Sequence, residues 1–213
     1  PGGKRVRPDL FIPLAEDTGL IEPMTEWLMR QIRVELESLL GNDRSFHIAI
    51  NLSPCHFESD KILSTSSRVF GSSAIMPEQI IYEITERGLI REDNGVARSV
   101  MTRLRERKSA IALDDFGTGY SSLSYVSSFP LDYLKIDKLF VDAIGTDSLM
   151  AGLVESIIDM AKRLNLRTIA EGVERAEQVE YLRDKGVDYV QGWYYSKALT
   201  AAELADFLQG SAP

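Results

Sequence analysis

A single cysteine, Cys55, stands in a chain of 213 residues. One thiol cannot close an internal disulfide, so the fold has to rest on buried apolar surface, and a reducing compartment suits it. Histidine is almost as scarce, with only His47 and His56, too few for a usual zinc site. With nitrogen and sulfur ligands this rare, a metal held here must be a hard cation bound through oxygen. Positive charge is in deficit as well: 24 Lys and Arg face 32 Asp and Glu, a net charge of −8. Duplex DNA is therefore excluded as a partner held by broad electrostatics, whereas a small phosphate ligand remains compatible if metal ions mediate. No apolar run reaches the about 18–20 residues that cross a bilayer, and no secretory leader is visible. We expect a cytoplasmic domain.

What is present is a repeated plan. Six short runs combine an apolar, β-rich core with polar residues at the C-terminal end: FHIAINLS (46–53), QIIYEITE (79–86), SAIALDDF (109–116), DYLKID (132–137), RTIAEGVE (167–174) and DYVQGWYY (188–195). Helical periodicity separates most of them. Residues 95–108 carry Val96, Val100, Met101 and Leu104 at three-to-four spacing, and 149–165 carry Leu149, Leu153, Ile157, Met160 and Leu164. A third helix is expected over 176–186, stopped by Gly186. The chain starts with a turn-rich stretch, PGGKRVRPDLFIPLAEDTGLI, after which helix is expected over about Ile21–Leu40 with Trp27, Leu28, Ile32 and Leu36 on its apolar face.

Strands alternating with helices predict parallel βαβ units, and near-continuously apolar strands predict cover on both faces. An open doubly wound sheet is the alternative. It lacks a glycine fingerprint after the first strand and would gather polar residues at one switch point rather than at every strand end. A TIM-like (β/α)8 barrel places its active site at the strand C-termini, and the pattern favours it. A barrel needs eight strands and six are visible, so the reading is a single domain over 1–213, N-terminally incomplete, with the first two strands absent from this chain.

The polar residues at the strand ends are Asn51, Glu83, Glu86, Asp114, Asp115, Lys135, Glu171, Glu174 and Gln191. Taken singly, each reads as a cap, a turn former or a solvated charge. On one rim they would gather six carboxylates, which repel unless cations compensate them. Such an oxygen-rich set suits Mg²⁺ or Mn²⁺, and two ions about 3.5–4 Å apart suit in-line displacement at phosphorus. Lys135 would then orient a nucleophilic water and Glu171 would take its proton. Gly-Thr-Gly-Tyr-Ser-Ser (117–122) has the freedom to act as a flap over the site. His47, taken as lying inside a strand, is read as structural, as are Cys55 and His56. Trp193, Tyr194 and Tyr195, taken as part of the last strand, are read as packing residues of the core and rim.

These residues resemble a known family. FIPLAEDTGLI (11–21), INLS (50–53), YEITE (82–86), ALDDFGTGYSSLSYV (112–126), LKIDKLFV (134–141), AEGVE (170–174) and QGWYYSKAL (191–199) together are similar to the EAL-domain phosphodiesterases that hydrolyse the bacterial second messenger cyclic di-GMP. The resemblance implies a (β/α)8 barrel with an antiparallel first strand, two Mg²⁺ or Mn²⁺ ions, and linear pGpG as product. It implies Asn51, Glu83, Asp114, Asp115 and Glu171 as metal-side residues, with Glu171 the general base and Lys135 and Gln191 orienting water. Glu86 resembles the anchor of the flap, and Glu174 a residue that stabilises the loop. A homodimer and an upstream sensory or regulatory domain are implied too. Two departures stand out. The chain has no Glu-Ala-Leu, whose glutamate is a further metal ligand in the family, and Ala198 stands where proline is common. Lacking that glutamate, this stretch alone is expected to be inactive. The rival reading is a catalytically inactive domain that binds cyclic di-GMP as a receptor.

Overall fold

In the computed structural model, residues 6–86, 94–117, 126–146 and 148–210 are described. Six strands alternate with helices: α1 (Pro8–Asp17), α2 (Ile21–Asn42), β1 (Ile48–Asn51), α3 (Lys61–Phe70), β2 (Ile80–Thr85), α4 (Asn94–Glu106), β3 (Ala110–Phe116), β4 (Tyr133–Ile136), α5 (Lys138–Asp142), α6 (Leu149–Arg163), β5 (Arg167–Ala170), α7 (Ala176–Asp184), β6 (Tyr189–Val190) and α8 (Ala201–Gly210). All six expected runs contain a strand. They form one sheet in the order β1 to β6, parallel at every pairing. An order that never doubles back has no switch point, which separates it from the doubly wound alternative and makes it the arc of a barrel.

Strand alternation sorts the side chains into two layers. Ile80, Tyr82, Ile84, Ile111, Leu113, Leu134 and Ile136 face the helices and share one core with Met29, Val100, Met101, Leu104, Ile157 and Ile158. On the opposite, concave face Ile81, Ala112 and Tyr133 form a smaller cluster, with Ala110 and Ile169 against it. Both faces of the central strands are thus covered, as their unbroken apolar sequences require. The arc ends at β1 and β6, and Ala49, Asn51 and Tyr189 there are exposed.

Several expectations need correction. The start of the chain is not all turn, because α1 forms over Pro8–Asp17 with Pro8 in its first turn and Pro13 inside it. Helix α2 buries Ile21, Thr25, Met29, Ile32 and Leu40, while Trp27 is 62% exposed and Leu28 is exposed too. Buried Thr25 interrupts the apolar stripe in sequence and disguises which face turns inward. In α6 the buried face runs through Val154, Ile157, Ile158, Met160 and Ala161, leaving Leu149 93% exposed and Leu153 exposed. His47 precedes β1 and is exposed. Trp193, Tyr194 and Tyr195 lie beyond the two-residue β6 and are exposed, so they are not core. Of the expected flap, only Gly117 lies within the described residues; 118–122 lie outside them.

Candidate functional site

Pairing register sets the height of each polar side chain along the concave face. Asn51 stands beside Glu83 on β1 and β2. Glu83 pairs with Ala112, whose other neighbour is Tyr133. Two residues on, alternation brings Asp114 and Lys135 to the same face, one level nearer the C-terminal rim. Ile169 pairs with Lys135, and Glu171 follows just beyond β5. Residues far apart in sequence therefore converge because every strand enters the arc in the same direction.

Between Leu113 and Phe116 the pairing with β4 slips, three steps on β3 matching two on its neighbour. The extra residue is accommodated at Asp115, whose φ of 56° is the left-handed conformation that acidic residues tolerate better than branched ones. Asp114 Oδ1 accepts the Asp115 amide at 2.9 Å. The two adjacent acids are thus separated by a bulge rather than by ordinary alternation.

At the centre is Lys135, 3% exposed. Its Nζ lies 2.6 Å from Glu171 Oε1, 2.9 Å from Glu83 Oε1 and 3.1 Å from Asp114 Oδ1. Glu83 and Asp114 are buried and Glu171 half-buried. Burial pushes the Glu83 and Glu171 carboxyls up from the ordinary range, opposed by the Lys135 charge and reinforced by the neighbouring acids. Burial alone would pull the Lys135 ammonium down, but Glu83, Glu171 and Asp114 together outweigh it and hold its pKa above the ordinary lysine range. At neutral pH Lys135 is therefore a cation and a hydrogen-bond donor. Three carboxylates against one ammonium leave the cluster short of positive charge.

The backbone on either side of Glu171 is tied down. Its amide donates to the Ile136 carbonyl at 3.0 Å, the Gln191 amide to Ala170 at 2.8 Å, and the Val173 amide back to Gln191 at 3.0 Å. Gly192 allows that crossing, because a Cβ there would overlap the Val173 carbonyl. Glu86, buried just beyond β2, accepts the Gly117 amide at 3.2 Å. Glu174 is exposed and turned to Lys138 Nζ at 3.0 Å. The structure thus brings together Glu83, Asp114, Lys135 and Glu171, sets Asn51 beside Glu83, and leaves Glu174 at a separate cation. Lys138 was not singled out in the sequence, where it reads as an ordinary lysine four residues before Asp142.

The donor chemistry fits hard divalent ions: carboxylates at Glu83, Asp114, Asp115 and Glu171, an amide at Asn51, and no imidazole or thiol among the strand-end residues. Among the described residues no three acidic, histidine or cysteine side chains already surround one ion position; the acids close on the ammonium instead.

Three comparisons bear on the site. The chain matches the family model described as "EAL domain" over residues 1–198. It is 43% identical over 197 residues to PdeB of Escherichia coli K12, a "probable cyclic di-GMP phosphodiesterase", covering 92% of this chain and 37% of that protein. PdeN of the same organism, described in the same words, is 37% identical, with 98% of this chain and 40% of that protein covered. The chain therefore spans well under half the length of these relatives. Among solved structures, the "PaMucR phosphodiesterase, c-di-GMP complex" superposes with a TM-score of 0.87 at 33% identity, covering 96% of this chain and 83% of that one. The EAL enzyme Bd1971, in a form with cAMP and cyclic di-GMP bound, gives 0.89 at 28% identity, with 98% and 57% covered.

Proposed function

The chain belongs to the EAL-domain family, and from that premise we propose that it hydrolyses cyclic di-GMP to linear pGpG with the help of two Mg²⁺ or Mn²⁺ ions. The observation that carries this reading is the buried cluster of Glu83, Asp114 and Glu171 about Lys135 at the strand C-termini. In this reading Asn51, Glu83, Asp114, Asp115 and Glu171 hold the ions. When bound, the ions supply positive charge to the phosphate oxygens and lower the pKa of water. Glu171, on the rim 2.6 Å from Lys135 Nζ, would accept the proton as water attacks phosphorus and the ester bond to the sugar 3′ oxygen breaks, that oxygen leaving as a hydroxyl on taking up a proton. Lys135, whose Nζ stands among Glu83, Asp114 and Glu171, would orient that water by donation. Gln191 assists in orienting the water, and Glu86 anchors the flap through the Gly117 amide. In the full-length protein the domain works as a homodimer under an upstream sensory or regulatory domain.

The test is turnover of cyclic di-GMP by the full-length protein with Mg²⁺ or Mn²⁺, followed by chromatography of pGpG. Glu83→Gln and Asp114→Asn are each expected to lower kcat by about 100-fold or more, a loss of about 2.7 kcal/mol in barrier terms. Tight binding of cyclic di-GMP with no turnover would replace the enzyme reading with the receptor one.

A further inference from the structure

We propose that Lys138 is a positioning residue for Glu171, acting from the outer side of the rim while Lys135 acts from the inner; the proposal rests on the hydrolytic reading above. The segment from β4 into α5 carries both lysines, three residues apart. Lys135 reaches the carboxylate of Glu171 at 2.6 Å. Lys138 reaches the next residues of the same loop, donating to the Gly172 carbonyl at 3.3 Å and to Glu174 Oε1 at 3.0 Å. Asp142 Oδ1 accepts a further bond at 2.9 Å, an exposed contact within α5.

The contact is made by the lysine stem as well as its charge. Gly172 has φ +66°, and a Cβ there would fall 2.5 Å from Lys138 Cγ and 2.6 Å from its Cδ. The alkyl chain thus lies flat on the bare Cα of Gly172, and no other residue at 172 would admit it. Past Glu174 the loop is tied to α5 a second time: Gln178 Oε1 accepts the Glu174 and Arg175 amides at 2.9 and 3.0 Å, and its Nε2 donates to the Val141 carbonyl at 3.0 Å. Residues 171–174 are therefore tied to the segment that supplies Lys135 on one side and to the turn after β6 on the other. A shift of α5 would carry the proton acceptor with it.

The simpler reading is a surface ion pair between Lys138 and Asp142, four residues apart on one short helix. Such exposed pairs contribute little to stability. The two readings part because a hydrogen bond to the carbonyl of Gly172 sets the position of its neighbour, and misplacing a reacting group by ~1 Å costs ~100-fold in rate.

The experiment compares wild-type full-length protein with Lys138→Met, Lys138→Arg and Asp142→Ala in steady-state hydrolysis of cyclic di-GMP. The same four are followed by thermal melting and by amide exchange at Glu171 and Val173. Lys138→Met is expected to lower kcat about 10-fold or more while KM stays within about 2-fold, because Glu171 acts on the reacting water rather than in holding the ligand. Its melting temperature should move by no more than about 2 °C, and Lys138→Arg should restore kcat. Asp142→Ala should leave kcat near wild type. A Lys138→Met enzyme with wild-type kcat overturns the proposal, as does a loss of kcat that arginine fails to rescue. If the wild type itself gives no turnover, the hydrolytic reading fails and amide exchange decides. Faster exchange at Glu171 in Lys138→Met alone upholds the positioning role, and unchanged exchange removes it.

Discussion

Lys135 is the residue on which the most charge depends. Removing one partner from a buried ionic group typically costs about 3–5 kcal/mol, because the others are left uncompensated. In the presence of a chelator, Lys135→Met is expected to lose about that much in urea denaturation. Adding Glu83→Gln to it should recover part of the loss, since one of the repelling acids is then neutral; a purely additive double variant would contradict the coupling. His56 gives a second residue-scale outcome. It is 5% exposed, its Nδ1 lies 3.0 Å from the Ser53 carbonyl, and its Nε2 has no partner among the described residues. Burial holds its pKa below the ordinary value, while Ser53, Glu22 and Glu16 pull the other way. A histidine depressed in the folded state binds fewer protons than the unfolded chain. Its contribution is complete above about pH 6.5 and is lost as pH falls through the lower folded value. His56→Asn, which can still donate to Ser53, should show a smaller fall in melting temperature between pH 7.5 and 5.5 than wild type. At this scale Glu83, Asp114, Lys135 and Glu171 were legible because each stands at a fixed place, the C-terminal end of an apolar run. The direction of Glu174 was not legible, because it depends on Lys138 from a different element.

Elements show where periodicity is a weaker guide. All six strands could be located from short apolar runs ending in polar residues, most plainly the central ones, whose two faces are both covered. The helices were harder, and the error lay in their rotation more than in their existence. In α2 and α6 an apolar residue on the exposed side competes with a small or polar one on the buried side, and spacing alone cannot choose between two stripes. Helix α1 was concealed by Pro8 and Pro13, residues that ordinarily break helices; Pro8 occupies the first turn, where its missing N–H costs nothing. The slip in β3 was invisible as well, since nothing in ALDDF announces an extra residue until a partner strand is laid beside it. The crossing after β6 yields a sharper expectation. Gly192→Ala must push against the Val173 carbonyl and is expected to cost about 1–3 kcal/mol in chemical denaturation, whereas Gly210→Ala, open to solvent in the last helix, should be close to neutral.

For the molecule as a whole, the arc leaves β1 and β6 as edges, with Asn51 at one of them. Asn51 belongs to the proposed ion-holding set and stands exposed on that edge strand, paired with Glu83. Under the proposed hydrolytic reading, Asn51→Ala is therefore expected to slow turnover of cyclic di-GMP with Mn²⁺ by about 10-fold or more; wild-type turnover would remove Asn51 from that set. The sequential order of the strands has one more outcome, concerning time rather than geometry. Each strand pairs with the one made just before it, so the sheet can grow strand by strand as the chain is synthesised. Glu83 and Asp114, one level apart on neighbouring strands, would then be set near each other before Lys135 arrives, with Glu171 last. Strands paired in that order would bring the acids of β2 and β3 together ahead of their counter-charge, and β4 would relieve the repulsion.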